Sequence, residues 1–281
     1  MRLIKVGLAN VNATVGALRA NADRAIALAG KMAADGVTVG AFPEQMIGGY
    51  PPEDLVQWHA FVDNQWGELL RFAEATARFR AAFVLGVAIN QGGLRFNCAA
   101  VVAGGKVRGL VPKQKLPTYN VFYEGRNFAR GYPRQAEVHR GVPFGDVVFR
   151  FDFGVMAAEV CEDLWSAQGP IARRTYFGAE LVVNVSASPY RVGAVRTRQE
   201  LISTRAADFE CALAYCNALG TNDGLIFDGG GFISQNGTWV LDAPRWREGF
   251  ASATLDLDRT ARLRSENTTW RQDREQYAST H

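Results

Sequence analysis

An alternation of short apolar runs with amphipathic helical segments is the feature that most constrains how this chain can fold. Residues Asn21–Ala34 and Phe61–Phe79 carry apolar side chains at helical spacing. Other runs are rich in β-branched residues, which is typical of buried strands. In the first half, these strand-like runs are Leu3–Ala9, Val37–Phe42 and Phe83–Ile89. The pair Gly104-Gly105, between two further apolar runs, predicts a β-hairpin.

The second half of the chain repeats this pattern. Val155–Val160 and Leu181–Val185 are predicted strands, and Thr197–Glu210 is a predicted helix. Strands that alternate with helices, together with hairpins, predict an α/β fold in which two mixed sheets pack together with helices outside. No linker rich in Pro, Gly or Ser divides the chain. We therefore predict a single domain over residues 1–281, with a polar, irregular tail from about residue 265.

The composition excludes several classes of protein. Hydrophobic residues make up 48% of the chain and charged residues 21%, which is not the composition of a disordered protein. The net charge of +3 is too small to indicate nucleic-acid binding. We interpret the basic stretch Arg191–Arg198 as the start of a helix or a contact with a substrate carboxylate. No run approaches the roughly 18 apolar residues of a membrane helix, and we expect no secretory signal.

Cysteine and histidine usage argues against a metal centre. The cysteines are Cys98, Cys161, Cys211 and Cys216, and the histidines are His59, His139 and His281. The cysteines show no pairing pattern, which favours free thiols in a reducing cytoplasm. No Cys-x-x-Cys pair exists and the histidines lie far apart, so we expect no metal site. Phosphate-loop and dinucleotide motifs are absent as well, and we expect no cofactor.

Three reactive side chains follow apolar strands, which is where α/β sheets place their sites. Glu44 follows the second strand, Lys113 follows the run ending at Val111, and Cys161 ends a strand before a helical stretch. Each residue alone has a simpler explanation, as a loop glutamate, a surface lysine or a buried cysteine. Together they supply a base, an oxyanion donor and a nucleophile, the three roles of thiol acyl transfer without histidine.

With these residues in place, the chain resembles the nitrilase superfamily of carbon–nitrogen hydrolases from about Arg2 to Tyr277. The motifs that carry the resemblance are Phe42-Pro43-Glu44, Lys113-x-x-Leu116-Pro117, Cys161-Glu162-Asp163-Leu164-Trp165 and the loop Phe122–Phe128. The resemblance implies an α-β-β-α sandwich of two mixed sheets flanked by helices. It also implies that Glu44, Lys113 and Cys161 form a catalytic triad and that Glu124 supports Lys113 or positions the substrate.

Within this superfamily, four segments are most similar to the glutaminase domain of glutamine-dependent NAD synthetases. They are Gly49–Leu55, Leu116–Tyr119, Cys161–Trp165 and Asn184–Pro189. This similarity implies that Tyr119, Glu162 and Ser188 help to hold glutamine, and Ser186 in the same strand-end motif is a further candidate substrate contact.

The implied activity is ammonia release from a primary amide, with L-glutamine as the expected substrate. The Ser-Gly-Gly-x-Asp-Ser phosphate motif of the synthetase domain is absent from this sequence, so we expect either a separate synthetase subunit that takes the ammonia or a free-standing amidase that keeps the glutaminase signature. The family resemblance also implies a homodimer or a higher homo-oligomer. The alternatives are a free-standing aliphatic amidase, a carbamoyl-amide hydrolase or a nitrilase and, in another class, a non-catalytic partner subunit.

Overall fold

A computed structural model describes residues 1–280 of the chain. Across these residues the strands form an eight-stranded sheet, a six-stranded sheet and a two-stranded ribbon. The strands are β1 (Leu3–Asn10), β2 (Val39–Ala41), β3 (Ala82–Gln91), β4 (Leu94–Ala103), β5 (Lys106–Pro112), β6 (Ala136–His139), β7 (Val142–Gly145), β8 (Phe149–Phe151), β9 (Gly154–Val160), β10 (Leu181–Ser186), β11 (Ala212–Asn217), β12 (Leu219–Asn222), β13 (Leu225–Asp228), β14 (Gly231–Gln235), β15 (Thr238–Ala243) and β16 (Gly249–Asp256). The helices are α1 (Leu18–Ala34), α2 (His59–Ala75), α3 (Glu124–Asn127), α4 (Glu162–Trp165), α5 (Ile171–Tyr176), α6 (Ala194–Asp208), α7 (Leu257–Glu266) and α8 (Thr268–Thr280), with a 3-10 turn at Glu53–Gln57.

Both large sheets are mixed. The first has the strand order β16-β1-β2-β3-β4-β5-β7-β6, and the second has the order β15-β14-β11-β10-β9-β8. Strands β1, β2 and β3 run parallel, as do β9, β10 and β11, while antiparallel strands extend each sheet. The pair Gly104-Gly105 forms the predicted hairpin between β4 and β5.

Side chains along β9 alternate between the two buried faces of the second sheet. Met156 and Ala158 lie in the core between the sheets, whereas Val155 and Ala157 pack on the helix side with Ile202 of α6. A strand covered on both faces has a nearly continuous apolar sequence, as this one does. Helices α1 and α2 cover the first sheet in the same way. The predicted α-β-β-α sandwich is therefore confirmed.

Close backbone contact with β3 positions the segment that follows β2. The segment after β2 crosses β3 so closely that Gly86 has no room for a side chain. A Cβ atom at Gly86 would lie 2.0 Å from the Gln45 nitrogen and 2.5 Å from the Glu44 Cα atom. Glycine at this position therefore allows the backbone of Glu44 to lie against the sheet.

The prediction of an irregular tail from about residue 265 was wrong. The chain continues as α7 to Glu266 and as α8 from Thr268, and His281 lies outside the described residues. The Asn267 side chain accepts the Trp270 N–H at 3.0 Å and so caps α8. Trp270 is buried, and its indole nitrogen donates to the Phe209 carbonyl at 3.2 Å. Trp270 and Tyr277 also pack against the Tyr176 ring, so aromatic contacts and one cap stabilise a helix that its polar composition does not predict.

Several helix boundaries also differ from the prediction. Helix α1 begins at Leu18 rather than Asn21, and α2 ends at Ala75, where the Thr76 hydroxyl donates back to the Phe72 carbonyl at 2.9 Å. Within residues 1–280, no helix is long and apolar enough to cross a membrane.

Candidate active site

Glu44 lies three residues beyond β2, where its carboxylate is buried and bonded at both oxygens. Its Oε1 accepts hydrogen bonds from Asn97 Nδ2 and from Lys113 Nζ, each at 2.7 Å. Its Oε2 accepts the backbone N–H of Ala187 at 2.9 Å. The Glu44 N–H in turn donates to the Ser186 carbonyl at 3.4 Å. Donors from both sheets therefore fix the orientation of this carboxylate.

Lys113 follows the last residue of β5, and its side chain is wholly buried. Its ammonium donates to Glu44 Oε1 and to Glu124 Oε1, each at 2.7 Å. Burial alone would lower the pKa of Lys113, but the negative charges of Glu124 and Glu44 outweigh burial and hold that pKa well above its usual value. The lysine is therefore a fixed cation between two carboxylates.

Glu124, at the start of α3, is the second carboxylate on this lysine. Its Oε1 also accepts the Tyr50 hydroxyl at 2.9 Å. Burial raises the pKa of Glu124, and the nearby charge of Glu44 raises it further against the opposing effect of Lys113. Two carboxylates thus share one ammonium.

Cys161 occupies a sharp turn between β9 and α4. Its backbone has φ 41° and ψ −97°, a strained combination for a residue with a side chain. Its N–H donates to the Val185 carbonyl at 2.9 Å, which ties the turn to β10. Burial raises the pKa of the Cys161 thiol well above its usual value, and the Glu44 charge adds to this effect while Lys113 opposes it. The resting group is therefore a neutral thiol that needs a base.

Asp163 joins the cysteine turn to the lysine segment. Its Oδ1 accepts the backbone N–H groups of Gln114 at 2.9 Å and Lys115 at 2.8 Å. Its Oδ2 accepts the Val160 N–H at 3.3 Å. The carboxylate is fully buried, and burial raises its pKa. Sequence reasoning quoted this residue within the cysteine motif but assigned it no role.

A cavity of about 510 Å³ opens beside Cys161. Its lining residues are Tyr119, Asn120, Val121, Phe122, Cys161, Glu162, Trp165, Ser188, Pro189, Tyr190, Arg191, Gly224, Leu225 and Ile226. Glu162 and Arg191 carry opposite charges, and the Tyr119 hydroxyl donates to Glu162 Oε1 at 2.9 Å. The cavity can hold a small molecule and presents both signs of charge to it.

The structure brings three of the four predicted substrate contacts to this cavity, namely Tyr119, Glu162 and Ser188. Ser186 is fully buried, does not line the cavity, and donates its hydroxyl to Asn184 Oδ1 at 2.7 Å. Beside the cavity, the Ser188 carbonyl accepts Arg198 Nη2 at 2.8 Å.

The predicted basic stretch therefore divides between two roles. Arg191 lines the cavity, whereas Arg198 is buried within α6 and its Nη1 donates to both oxygens of Asp228 at 2.7 and 2.9 Å.

The sequence analysis did not identify Asn97 and Tyr50, which orient the carboxylates of Glu44 and Glu124. Tyr50 lies in the Gly49–Leu55 segment that carries the family resemblance, whereas nothing distinguishes Asn97 within an apolar strand. Among the described residues, no group of three or more His, Cys, Asp or Glu side chains is arranged to hold a metal ion.

Comparison with known proteins identifies close sequence relatives. The chain is 34% identical to the glutamine-dependent NAD(+) synthetase of Thermotoga maritima over 266 residues, which cover 94% of this chain and 44% of the relative. It is 32% identical to the enzyme of the same name from Aquifex aeolicus over 272 residues, which cover 96% of this chain and 45% of the relative. The chain thus spans less than half the length of these curated relatives.

Solved structures have the same fold. A glutamine-dependent NAD(+) synthetase from Cytophaga hutchinsonii superimposes with a TM-score of 0.82 at 26% identity, over 90% of this chain and 43% of that one. A carbon–nitrogen hydrolase from Helicobacter pylori gives a TM-score of 0.81 over 96% of this chain and 95% of that one. Its identity of 18% is evidence for the fold alone.

The match to a family model covers nearly the whole chain. The model described as carbon-nitrogen hydrolase matches residues 5–265. This range includes the buried cluster formed by Glu44, Lys113, Glu124 and Cys161. The resemblance to the nitrilase superfamily is confirmed by this match and by the relatives above. On this evidence, the chain belongs to the carbon–nitrogen hydrolase family.

Proposed function

We propose that this protein is a cysteine-dependent amidohydrolase that releases ammonia from L-glutamine. The single observation that carries this proposal is the position of Lys113, whose ammonium lies 2.7 Å from both Glu44 and Glu124 in the buried cluster next to Cys161. A neutral thiol, a fixed carboxylate and a fixed cation in one buried cluster suit acyl transfer. Glu44, Lys113 and Cys161 are the proposed catalytic residues.

The first step forms the thioester. Glu44 takes the proton of the Cys161 thiol as the sulfur attacks the amide carbonyl carbon. The carbonyl oxygen becomes an oxyanion, which Lys113 and the backbone N–H after Cys161 stabilise, each donor typically contributing ~3–4 kcal/mol. Glu44 then returns the proton to the amide nitrogen, the C–N bond breaks, and ammonia leaves.

The second step hydrolyses the thioester. Glu44 takes a proton from a water molecule as its oxygen attacks the thioester carbon. The C–S bond then breaks, the proton returns to the Cys161 sulfur, and glutamate leaves. Glu124 supports Lys113 throughout through their direct ion pair. The two steps require only the protein side chains, the amide and water.

Charge in the cavity supports an amino-acid amide as the substrate. Glutamine carries an ammonium and a carboxylate, and Glu162 and Arg191 offer the opposite charges on the cavity wall. Tyr119 and Ser188 are further proposed contacts. The names of the relatives, which are glutamine-dependent synthetases, point to the same substrate.

The names of the relatives support a partner for the reaction. Because these relatives are glutamine-dependent NAD(+) synthetases, we propose that a synthetase subunit receives the ammonia. The proposed unit is one domain over residues 1–281, acting as a homodimer or a higher homo-oligomer. The cysteines at 98, 161, 211 and 216 are all free, which suits a reducing cytoplasm.

The test is ammonia release from L-glutamine, with asparagine, aliphatic amides, carbamoyl amides and nitriles measured alongside. We expect release from glutamine by the wild type and none by Cys161→Ala. Cys98→Ala is the matched control, because Cys98 is equally buried but lies in β4 away from the cavity. Release only from other amides or nitriles would assign the protein to the free-standing amidases or nitrilases. No release from any substrate, with or without a synthetase, would indicate a non-catalytic subunit.

A further inference from the structure

Three buried polar side chains lie behind Cys161, on the helix side of the second sheet. They are Glu159 of β9 and Asn184 and Ser186 of β10, all with 0% exposure. Glu159 and Asn184 are directly opposite one another in the parallel register. Val185 lies opposite Val160, and the Cys161 N–H donates to the Val185 carbonyl at 2.9 Å, so the turn at Cys161 lies alongside Ser186, the next residue of β10.

Hydrogen bonds connect these side chains into a chain that ends at the cysteine. Asn184 Nδ2 donates to Glu159 Oε1 at 3.2 Å and to the Cys161 carbonyl at 3.3 Å. The Ser186 hydroxyl donates to Asn184 Oδ1 at 2.7 Å. The same hydroxyl also lowers the pKa of Cys161, against the larger opposing effect of burial.

Packing alone does not account for these three hydrogen-bonded side chains. The neighbouring positions on the same face are apolar, with Ala157 and Val182 in the core beneath α6. Within residues 1–280, Glu159 Oε2 has no hydrogen-bond partner, and Arg174 Nη1 lies 3.9 Å from it. Apolar side chains of similar size would avoid the free energy lost by burying these polar groups.

A hydroxyl next to the sulfur can serve both states of the thiol. While the thiol is neutral, Ser186 donates to Asn184 and turns its oxygen lone pairs towards other donors. When the sulfur loses its proton, the hydroxyl can rotate and donate to the thiolate instead. Hydrogen bonds to a charged acceptor are the strong ones in proteins.

We propose that Ser186 supports the Cys161 sulfur directly as it becomes a thiolate, and that Asn184 and Glu159 are positioning residues that hold Ser186 and the Cys161 carbonyl in place. This assignment rests on the proposed role of Cys161 as the nucleophile. It gives Ser186 a role at the sulfur rather than at the substrate.

The test measures the thiol itself, so that it does not depend on the substrate. Ser186→Ala is compared with Ser234→Ala, because Ser234 is equally buried in the same sheet and donates to the Thr238 carbonyl away from the cavity. Alkylation of Cys161 by iodoacetamide is followed against pH, by mass spectrometry of the peptide that contains it. We expect Ser186→Ala to slow alkylation near neutral pH by about tenfold and to move the midpoint to higher pH.

Kinetics with glutamine then separate the two roles of Ser186. Support of the sulfur predicts a lower kcat for Ser186→Ala with an unchanged KM, whereas a substrate contact predicts a higher KM. Asn184→Leu keeps a similar volume but removes the donor and the acceptor without adding a charge, and it must slow alkylation too, which covers the case in which Ser186→Ala fails to fold. The proposal is overturned if alkylation of folded Ser186→Ala matches that of Ser234→Ala. If glutamine is not hydrolysed but alkylation still depends on Ser186, only the proposed function fails.

Discussion

Lys113 Nζ lies 2.7 Å from Glu44 Oε1, and neither side chain is exposed to solvent. Because Glu124 bonds the same ammonium, loss of Lys113 leaves two buried carboxylates without a cation. Removing one partner of a buried ion pair is strongly destabilising, since the remaining charge stays desolvated. The lysine is thus both a proposed oxyanion donor and a structural cation.

Lys113→Met is therefore expected to lower the free energy of unfolding by about 3–5 kcal/mol near neutral pH and to abolish amide hydrolysis. The loss should be smaller at about pH 5, because the raised pKa of Glu124 lets that carboxyl protonate. Urea unfolding at both pH values measures this. Lys115→Met, which leaves the backbone N–H of Lys115 bonded to Asp163, is the control. Equal losses in the two variants would contradict the prediction.

Glu159→Gln should change how stability depends on pH. Burial raises the pKa of Glu159 from 4.5 to about 7. A carboxyl whose pKa is higher in the folded state binds its proton more tightly there, so wild-type stability should fall as pH rises from about 4.5 to about 7.

The uncharged glutamine removes this contribution, worth up to about 3 kcal/mol by pH 8. Thermal unfolding across this pH range measures it, with Glu200→Gln as a control at an exposed pair on α6. If the wild type and Glu159→Gln run parallel across the range, Glu159 does not retain its proton in the folded protein.

Asp163→Asn tests the bridge between the cysteine turn and the lysine segment. An asparagine retains one acceptor but turns a donor towards a backbone N–H that now lacks a partner. We expect kcat to fall by about a hundredfold with little change in KM, because a small displacement of reacting groups has a large effect on rate. Asp152→Asn, at an exposed turn, should keep normal kinetics. A rise in KM alone would assign Asp163 to substrate binding.

Arg191→Met tests the proposed charge recognition in the cavity. We expect KM for glutamine to rise by about tenfold or more, while hydrolysis of propionamide, which has no carboxylate, stays unchanged. Arg196→Met removes a nearby arginine whose side chain is 85% exposed and is the control. Steady-state ammonia release with both amides measures the difference. Equal effects on both substrates would show that Arg191 does not select the carboxylate.

The sequence predicted the sandwich and its reactive edge because both follow from strand patterns. Glu44, Lys113 and Cys161 each come directly after apolar runs, and parallel strands bring such positions to one edge. The contacts among them depend on atoms far apart in sequence and could not be predicted from pattern. Asn97, for example, lies within β4 and reaches Glu44 from there.

Ser186 and α8 show two different limits of pattern reasoning. Ser186 and Ser188 share one short motif, but strand geometry buries the first and opens the second to the cavity. Helix α8 has few apolar residues, so its formation depends on the hydrogen bond from Trp270 to the Phe209 carbonyl, on ring contacts with Tyr176 and on the cap at Asn267. Both outcomes depend on tertiary contacts, which local composition does not encode.

The Asp163 bridge spans the two sheets, since Gln114 and Lys115 follow β5 and Val160 ends β9. The main-chain segments that carry Cys161 and Lys113 are thereby held together. Most of the cavity wall, in contrast, comes from loops at residues 119–122 and 188–191 and from residues 224–226 at the start of β13. The proposed catalytic residues and most of the cavity wall therefore belong to different parts of the fold. The loops can diverge to admit other substrates while Glu44, Lys113 and Cys161 keep their positions.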